Sequence, residues 1–121
     1  MNNRKVGTGF ERIAADHIRS RGGTIVALNY RLKSGEIDII AKDGDYLCFI
    51  EVKYRKNMDF GGPLAAISFK KQLQICKISK LYLYFNNYPL DTKIRYDVIA
   101  ISGENKPVSV NWLKNAFDYV A

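Results

Sequence analysis

The stretch GEIDIIAKDGDYLCFIEVKY, residues 35–54, constrains the fold more than any other part of the chain. Two runs rich in β-branched and aromatic residues, Glu36 to Lys42 and Tyr46 to Tyr54, flank Asp43-Gly44, a dipeptide suited to a tight hairpin. The second run is apolar on both faces, which puts it in the interior of a sheet. Side chains alternate along a strand, so Glu51 and Lys53 share one face while Val52 points away, and Glu36 and Asp38 share a face by the same rule. A turn centred on Asp43-Gly44 predicts Asp38 opposite Phe49 and Glu51 opposite Glu36. Asp38 and Glu51 are then diagonal neighbours at a Cβ separation of roughly 7 Å, with Lys53 one alternate position further on.

The rest of the chain supplies the layers around this hairpin. Phe10, Ile13, Ala14 and Ile18 recur at helical spacing between Thr8 and Arg21, with Thr8 and Glu11 spaced as a capping box and Gly22-Gly23 as the stop. Met1 to Val6 is expected to fray. Thr24 to Tyr30 reads as a strand, and Asn57 to Pro63 as a loop. Ser68 is placed to cap a long helix ending near Phe85. Ile94 to Ile101 is a further strand, and Asn111 is placed to cap a last short helix through Tyr119. The expected order is α-β-β-β-α-β-α: an α/β fold in which a mixed sheet is flanked by helices, since a β-α-β segment requires a crossover and a parallel pairing. A single domain over residues 1–121 suits this length.

Composition narrows the function. Nineteen Lys and Arg against twelve Asp and Glu leave a net charge of +7, which favours a polyanionic partner. Two cysteines and one histidine are too few for the usual zinc site, and the apolar surroundings of Cys48 and Cys76 suggest buried free thiols in a reducing cytosol. The sequence shows neither a signal pattern nor an apolar run of membrane-spanning length, so a cytoplasmic protein away from membranes is expected.

Acidic groups clustered on an apolar sheet repel one another and lose hydration unless something compensates. A bound Mg²⁺ or Mn²⁺ between Asp38 and Glu51 is the economical compensation, with Lys53 beside it to hold the attacking water and offset charge on phosphate. An exposed ion pair between Glu51 and Lys53 is the plain alternative, and the apolar run around them argues against it. Arg31, Lys33, Arg55 and Lys56 fall at strand ends near this point, where they suit phosphate contacts or solvated loops about equally. His17 is expected to pack rather than react. Tyr82, Tyr84, Phe85 and Tyr88 suit core packing or a dimer surface.

GEIDIIAKDGDYLCFIEVKYR at residues 35–55, GTGFERIAADHI near the start, LNYR at 28–31, Ile67-Ser68 through Lys71-Gln72, RYDVIAI at 95–101 and Asn115-Ala116-Phe117 together resemble the bacterial YraN family. These are endonuclease-like proteins of the PD-(D/E)XK superfamily, related in fold to the archaeal Holliday-junction resolvases. Phe69 departs from the family pattern, which often has proline there. The resemblance implies a restriction-endonuclease-like core with Asp38, Glu51 and Lys53 in the catalytic positions and the carbonyl of Val52 as a further metal ligand. It also implies that Glu11 is an additional acidic site residue, a role that competes with its capping box. Glu36 matches the GEID motif and is either metal-adjacent or structural. Lys71 and Gln72 match positions that contact phosphate or support the site, where a solvated helix face is an equal alternative.

The leading expectation is a Mg²⁺- or Mn²⁺-dependent endonuclease acting on DNA, branched or structured DNA included, and working as a homodimer if two strands must be cut. A nucleic-acid-binding module without efficient catalysis is the second reading, and an assembly protein that uses its aromatic cluster is the third.

Overall fold

The computed structural model describes residues 2–56, 67–105 and 107–121, with side chains from Gly9 onward. The element order is α1 (Asn2–Ser20), β1 (Thr24–Leu32), β2 (Gly35–Asp43), β3 (Tyr46–Arg55), α2 (Phe69–Phe85), β4 (Ile94–Ser102) and β5 (Ser109–Phe117). The strands form one sheet in the order β1-β2-β3-β4-β5, antiparallel throughout except for the parallel β3–β4 pair. A mixed α/β sheet was expected, and the parallel pairing follows from the α2 crossover. The expected loop from Asn57 to Pro63 lies outside the described residues.

The two helices cover opposite faces. Ala14, Ala15 and Ile18 of α1 pack on Ile39, Ala41, Cys48, Ile50, Ile99 and Ile101. Ile75, Cys76, Ile78 and Tyr82 of α2 pack on Ile37, Ile40, Leu47, Phe49 and Tyr96. Helix α2 starts where the sequence placed it: the Ser68 hydroxyl accepts a hydrogen bond from the Lys71 backbone N–H at 3.1 Å. Gly23, which closes α1, has no room for a side chain, since a Cβ there would stand 2.5 Å from Ile18 Cγ2.

Three expectations are corrected. Helix α1 begins at Asn2, so the opening residues are helical and Thr8 lies within the helix instead of capping it. That removes the capping box as a role for Glu11. The final helix is instead the strand β5, paired antiparallel with β4 from Ser102↔Ser109 to Tyr96↔Phe117. Val108, Val110 and Trp112 alternate onto the α1 face, and that tertiary burial outweighs the local helical spacing. The hairpin register also differs: Asp43 pairs with Tyr46 and Ile39 with Ile50, so the two-residue loop is Gly44-Asp45. Gly44 has φ +61° while Asp45 is not left-handed, the pattern of a loop with glycine first.

A polar pin fastens β5 to β4. Asp97 is wholly buried and accepts from Arg95 Nε, Trp112 Nε1 and the Asn115 backbone N–H, each at 2.9 Å. Arg95 also pairs with Asp43 at 2.8 Å, and Lys114 meets the same carboxylate at 2.9 Å. A buried carboxylate is tolerable only with this many donors.

Candidate metal centre at the parting of two strands

The corrected register changes the site. The pairs run two positions further along β3 than expected, so Asp38 stands next to the last pair, Ile39↔Ile50, beside Glu51 and Val52 and not opposite Phe49. The ladder ends at Ile39↔Ile50, and beyond it the strands part. Asp38 Oδ2 fills the gap by accepting the Val52 backbone N–H at 2.8 Å, a carboxylate standing in for a neighbouring strand's carbonyl.

Other acidic groups approach this seam. On the α1 side, carboxylate oxygens of Glu11, Glu36 and Asp38 lie within 4.8 Å of one another, a spacing that suits a shared cation. They line a hollow of about 240 Å³ walled by Phe10, Val52 and Tyr54, with the Phe10 and Tyr54 rings stacked at 4.3 Å. Tyr54 is itself held by a 2.6 Å hydrogen bond from its hydroxyl to the Gly103 carbonyl. Glu51 lies outside that group of three, yet its carboxyl and that of Asp38 are close enough to share a proton. Lys71 of α2 stands 3.8 Å from Glu51 Oε2. Asp38 therefore links an α1-side trio to the carboxyl that faces α2.

The electrostatics are costly without a counter-ion. Glu11 and Glu51 are each 6% exposed, and one oxygen of each, Oε1, has no hydrogen-bond partner. Burial first, and then the Asp38 charge, push Glu51 from 4.5 up to about 8, against the pull of Lys71 and Lys53. Burial and Asp38 likewise raise Glu11 to about 7, opposed by the Asn29 side chain. Asp38 is raised as well, chiefly by burial, with the Val52 N–H favouring its charged form. A divalent cation would reverse all three effects, and an all-oxygen donor set suits a hard ion such as Mg²⁺ or Mn²⁺.

The remaining sequence candidates divide. Lys53, half-buried, lies two residues beyond Glu51 on β3, and its charge reaches that carboxyl. Glu36 joins the acidic trio and is clamped by Arg31 at 2.6 Å, so Arg31 is an acid partner before it is a phosphate contact. Arg55 ends β3 in solvent. Gln72 turns back to the Ile67 carbonyl at 3.3 Å and takes no part at the seam. Lys71, expected to contact phosphate or support the site, stands beside Glu51; sequence reasoning missed Asn29, whose side chain favours the charged form of Glu11. An asparagine inside a run rich in β-branched residues was the signal for Asn29.

Among the described residues no helix is long and apolar enough to cross a membrane. The model of the uncharacterised protein family UPF0102 matches residues 10–101, which include every acidic residue of the seam. The UPF0102 protein of Dictyoglomus turgidum is 43% identical over 120 residues, 97% of this chain and 100% of the relative. The one from Clostridioides difficile is 44% identical over 117 residues, again 97% and 100%. The one from Legionella pneumophila strain Corby is 43% identical over 110 residues, 89% and 90%. With a family match over most of the chain and end-to-end similarity to such relatives, this protein belongs to the UPF0102 family.

Proposed function

We propose that this chain is a divalent-metal-dependent endonuclease that hydrolyses phosphodiester bonds in DNA, branched or structured DNA included. The observation that carries the reading is the pair of buried, partnerless carboxyl oxygens, Glu11 Oε1 and Glu51 Oε1, either side of Asp38. A fold keeps such a destabilising cluster only where something binds it.

Glu11, Glu36 and Asp38 would hold the cation on the α1 side, with Glu51 reaching it through its contact with Asp38. The resemblance adds the carbonyl of Val52, a residue that lines the same hollow. When bound, a divalent ion supplies Lewis-acid polarisation of the phosphate and of the attacking water. The chain's own groups do the rest. The Val52 N–H fixes the Asp38 carboxylate at the wall of the hollow. Lys71 favours the ionised, ligating form of Glu51. Lys53 adds a positive charge on the same strand, where it would oppose the charge developing on phosphate. Phe10 and Tyr54 exclude water from one wall and so strengthen these interactions.

Beyond the seam, Lys70, Lys77 and Lys80 are exposed along α2, and Lys70 and Lys77 are about 10 Å apart by helical rise. They would give α2 a basic face for the nucleic-acid backbone, and the exposed Arg55 at the end of β3 is a further candidate contact. The test is cleavage of branched, single-stranded and duplex DNA in Mg²⁺ or Mn²⁺, beside titration of Mn²⁺ into the protein. Wild type should cut at least one substrate, and Asp38→Asn, Glu51→Gln and Lys53→Ala should each lose about a hundredfold or more in rate. All substrates intact, with no saturable Mn²⁺ binding, would overturn the reading. Salt-dependent DNA binding alongside intact substrates would point to the binding module instead.

A further inference from the structure

Strand β1 contains a feature that neither the core nor the hairpin explains. Asn29 has φ +53°, a left-handed conformation in the middle of a strand. Asparagine tolerates this region better than most residues, whereas a β-branched residue would not. The surrounding pairs are Leu28↔Ile39 and Tyr30↔Ile37, so Asn29 stands directly across from Asp38.

The consequence is a switch of faces. Ala27 and Tyr30, three residues apart, both pack on the α2 side, although regular alternation would put them on opposite sides. Ile37 and Ile40 on β2 do the same. Both strands therefore lose one step of alternation at the same level, and that level is the seam. Asn29 is half-buried, and its side chain favours the charged form of the Glu11 carboxyl.

We propose that Asn29 is the positioning residue of this site: its left-handed backbone breaks the β1–β2 alternation beside Asp38 and aims its side-chain amide at Glu11, holding that carboxyl at the seam. Two demands thus fall on one position, a backbone that glycine could also adopt and an amide that glycine lacks. Asparagine meets both. The geometry stands by itself; only the catalytic consequence rests on the nuclease reading.

The experiment compares wild type, Asn29→Gly, Asn29→Ala and Glu11→Gln as full-length ¹⁵N-labelled proteins. Asn29→Gly keeps the backbone and should melt within about 2 °C of wild type, while Asn29→Ala should melt several degrees lower. Both should bind Mn²⁺ about tenfold more weakly, the loss typical of a residue that orients a ligand. DNA cleavage by Asn29→Gly should fall in kcat with KM for DNA unchanged. In metal-free protein the Asn29 side-chain NH₂ resonances should move in Glu11→Gln. Unchanged Mn²⁺ affinity and kcat in Asn29→Gly would overturn the proposal, as would NH₂ resonances indifferent to Glu11→Gln. If wild type neither binds Mn²⁺ nor cuts DNA, the nuclease reading fails, and the NH₂ resonances still decide whether the amide holds Glu11.

Discussion

Glu51→Gln should make the metal-free protein more stable at alkaline pH, against the usual expectation for a change at a buried site. The wild-type carboxyl titrates at about 8 when folded against 4.5 ordinarily. The folded state therefore binds this proton more tightly than the unfolded chain does. Wild-type stability is then full below pH 4.5, declines as pH rises, and is lowest above pH 8. A shift of that size corresponds to a ceiling of about 5 kcal/mol. Because the proton is shared with Asp38, part of this belongs to the pair, and about 2 kcal/mol is the expected gain for glutamine. Glutamine keeps the shape and removes the charge. For a chain of this length the gain raises the melting temperature by about 6–10 °C.

The assay is calorimetry of both proteins in chelator at pH 4.5 and pH 8.5. The curves should coincide at the lower pH and separate at the higher. Added Mn²⁺ should narrow the gap at pH 8.5: at a hundred times its dissociation constant the ion stabilises wild type by about 2.7 kcal/mol, and the variant, which lacks the Glu51 charge beside the site, by less. A variant less stable than wild type in chelator at pH 8.5, or one with the same pH slope, would refute the reasoning.

Other outcomes follow from the same structure. Lys71→Met removes the cation 3.8 Å from Glu51, and should shift the Mn²⁺-binding midpoint to higher pH, as read by titration across pH 6–9. Asp97→Ala strips three donors of their buried acceptor and should destabilise by about 3–5 kcal/mol in urea unfolding, with DNA affinity little changed once folded. Gly35 has φ +145°, and a Cβ there would stand 2.5 Å from the Gln74 side chain, so Gly35→Ala should cost about 1–2 kcal/mol by the same measurement.

How much of this was legible in the sequence depends on whether the deciding interaction is local. The β2–β3 hairpin was readable because alternation and a glycine at the turn are local signals, and both are present. Its register was not, because Asp43-Gly44 and Gly44-Asp45 are both plausible loops. Choosing between them moves Phe49 from opposite Asp38 to opposite Ile40, and leaves Asp38 beside Glu51 and Val52. Strand β5 was read as a helix because Asn111 resembles a cap. What makes it a strand is an open edge of β4 and the buried Asp97 waiting for Trp112 and Asn115, partners more than ten residues away in sequence. Asn29 was visible as an odd residue in a strand, but its meaning needed Glu11 from a different element.

The substitution of Asp38 for a missing ladder partner has a bearing on how relatives should be compared. A side chain that completes a sheet is preserved by selection for folding alone, so an aspartate at this point in a homologue says little about whether that homologue is active. Glu11 and Glu51 each burden the folded state with a buried oxygen that has no partner. On the proposed nuclease reading they should drift first in lineages that lack the activity, to glutamine or to something apolar, and their joint retention is the better marker of a site that binds metal.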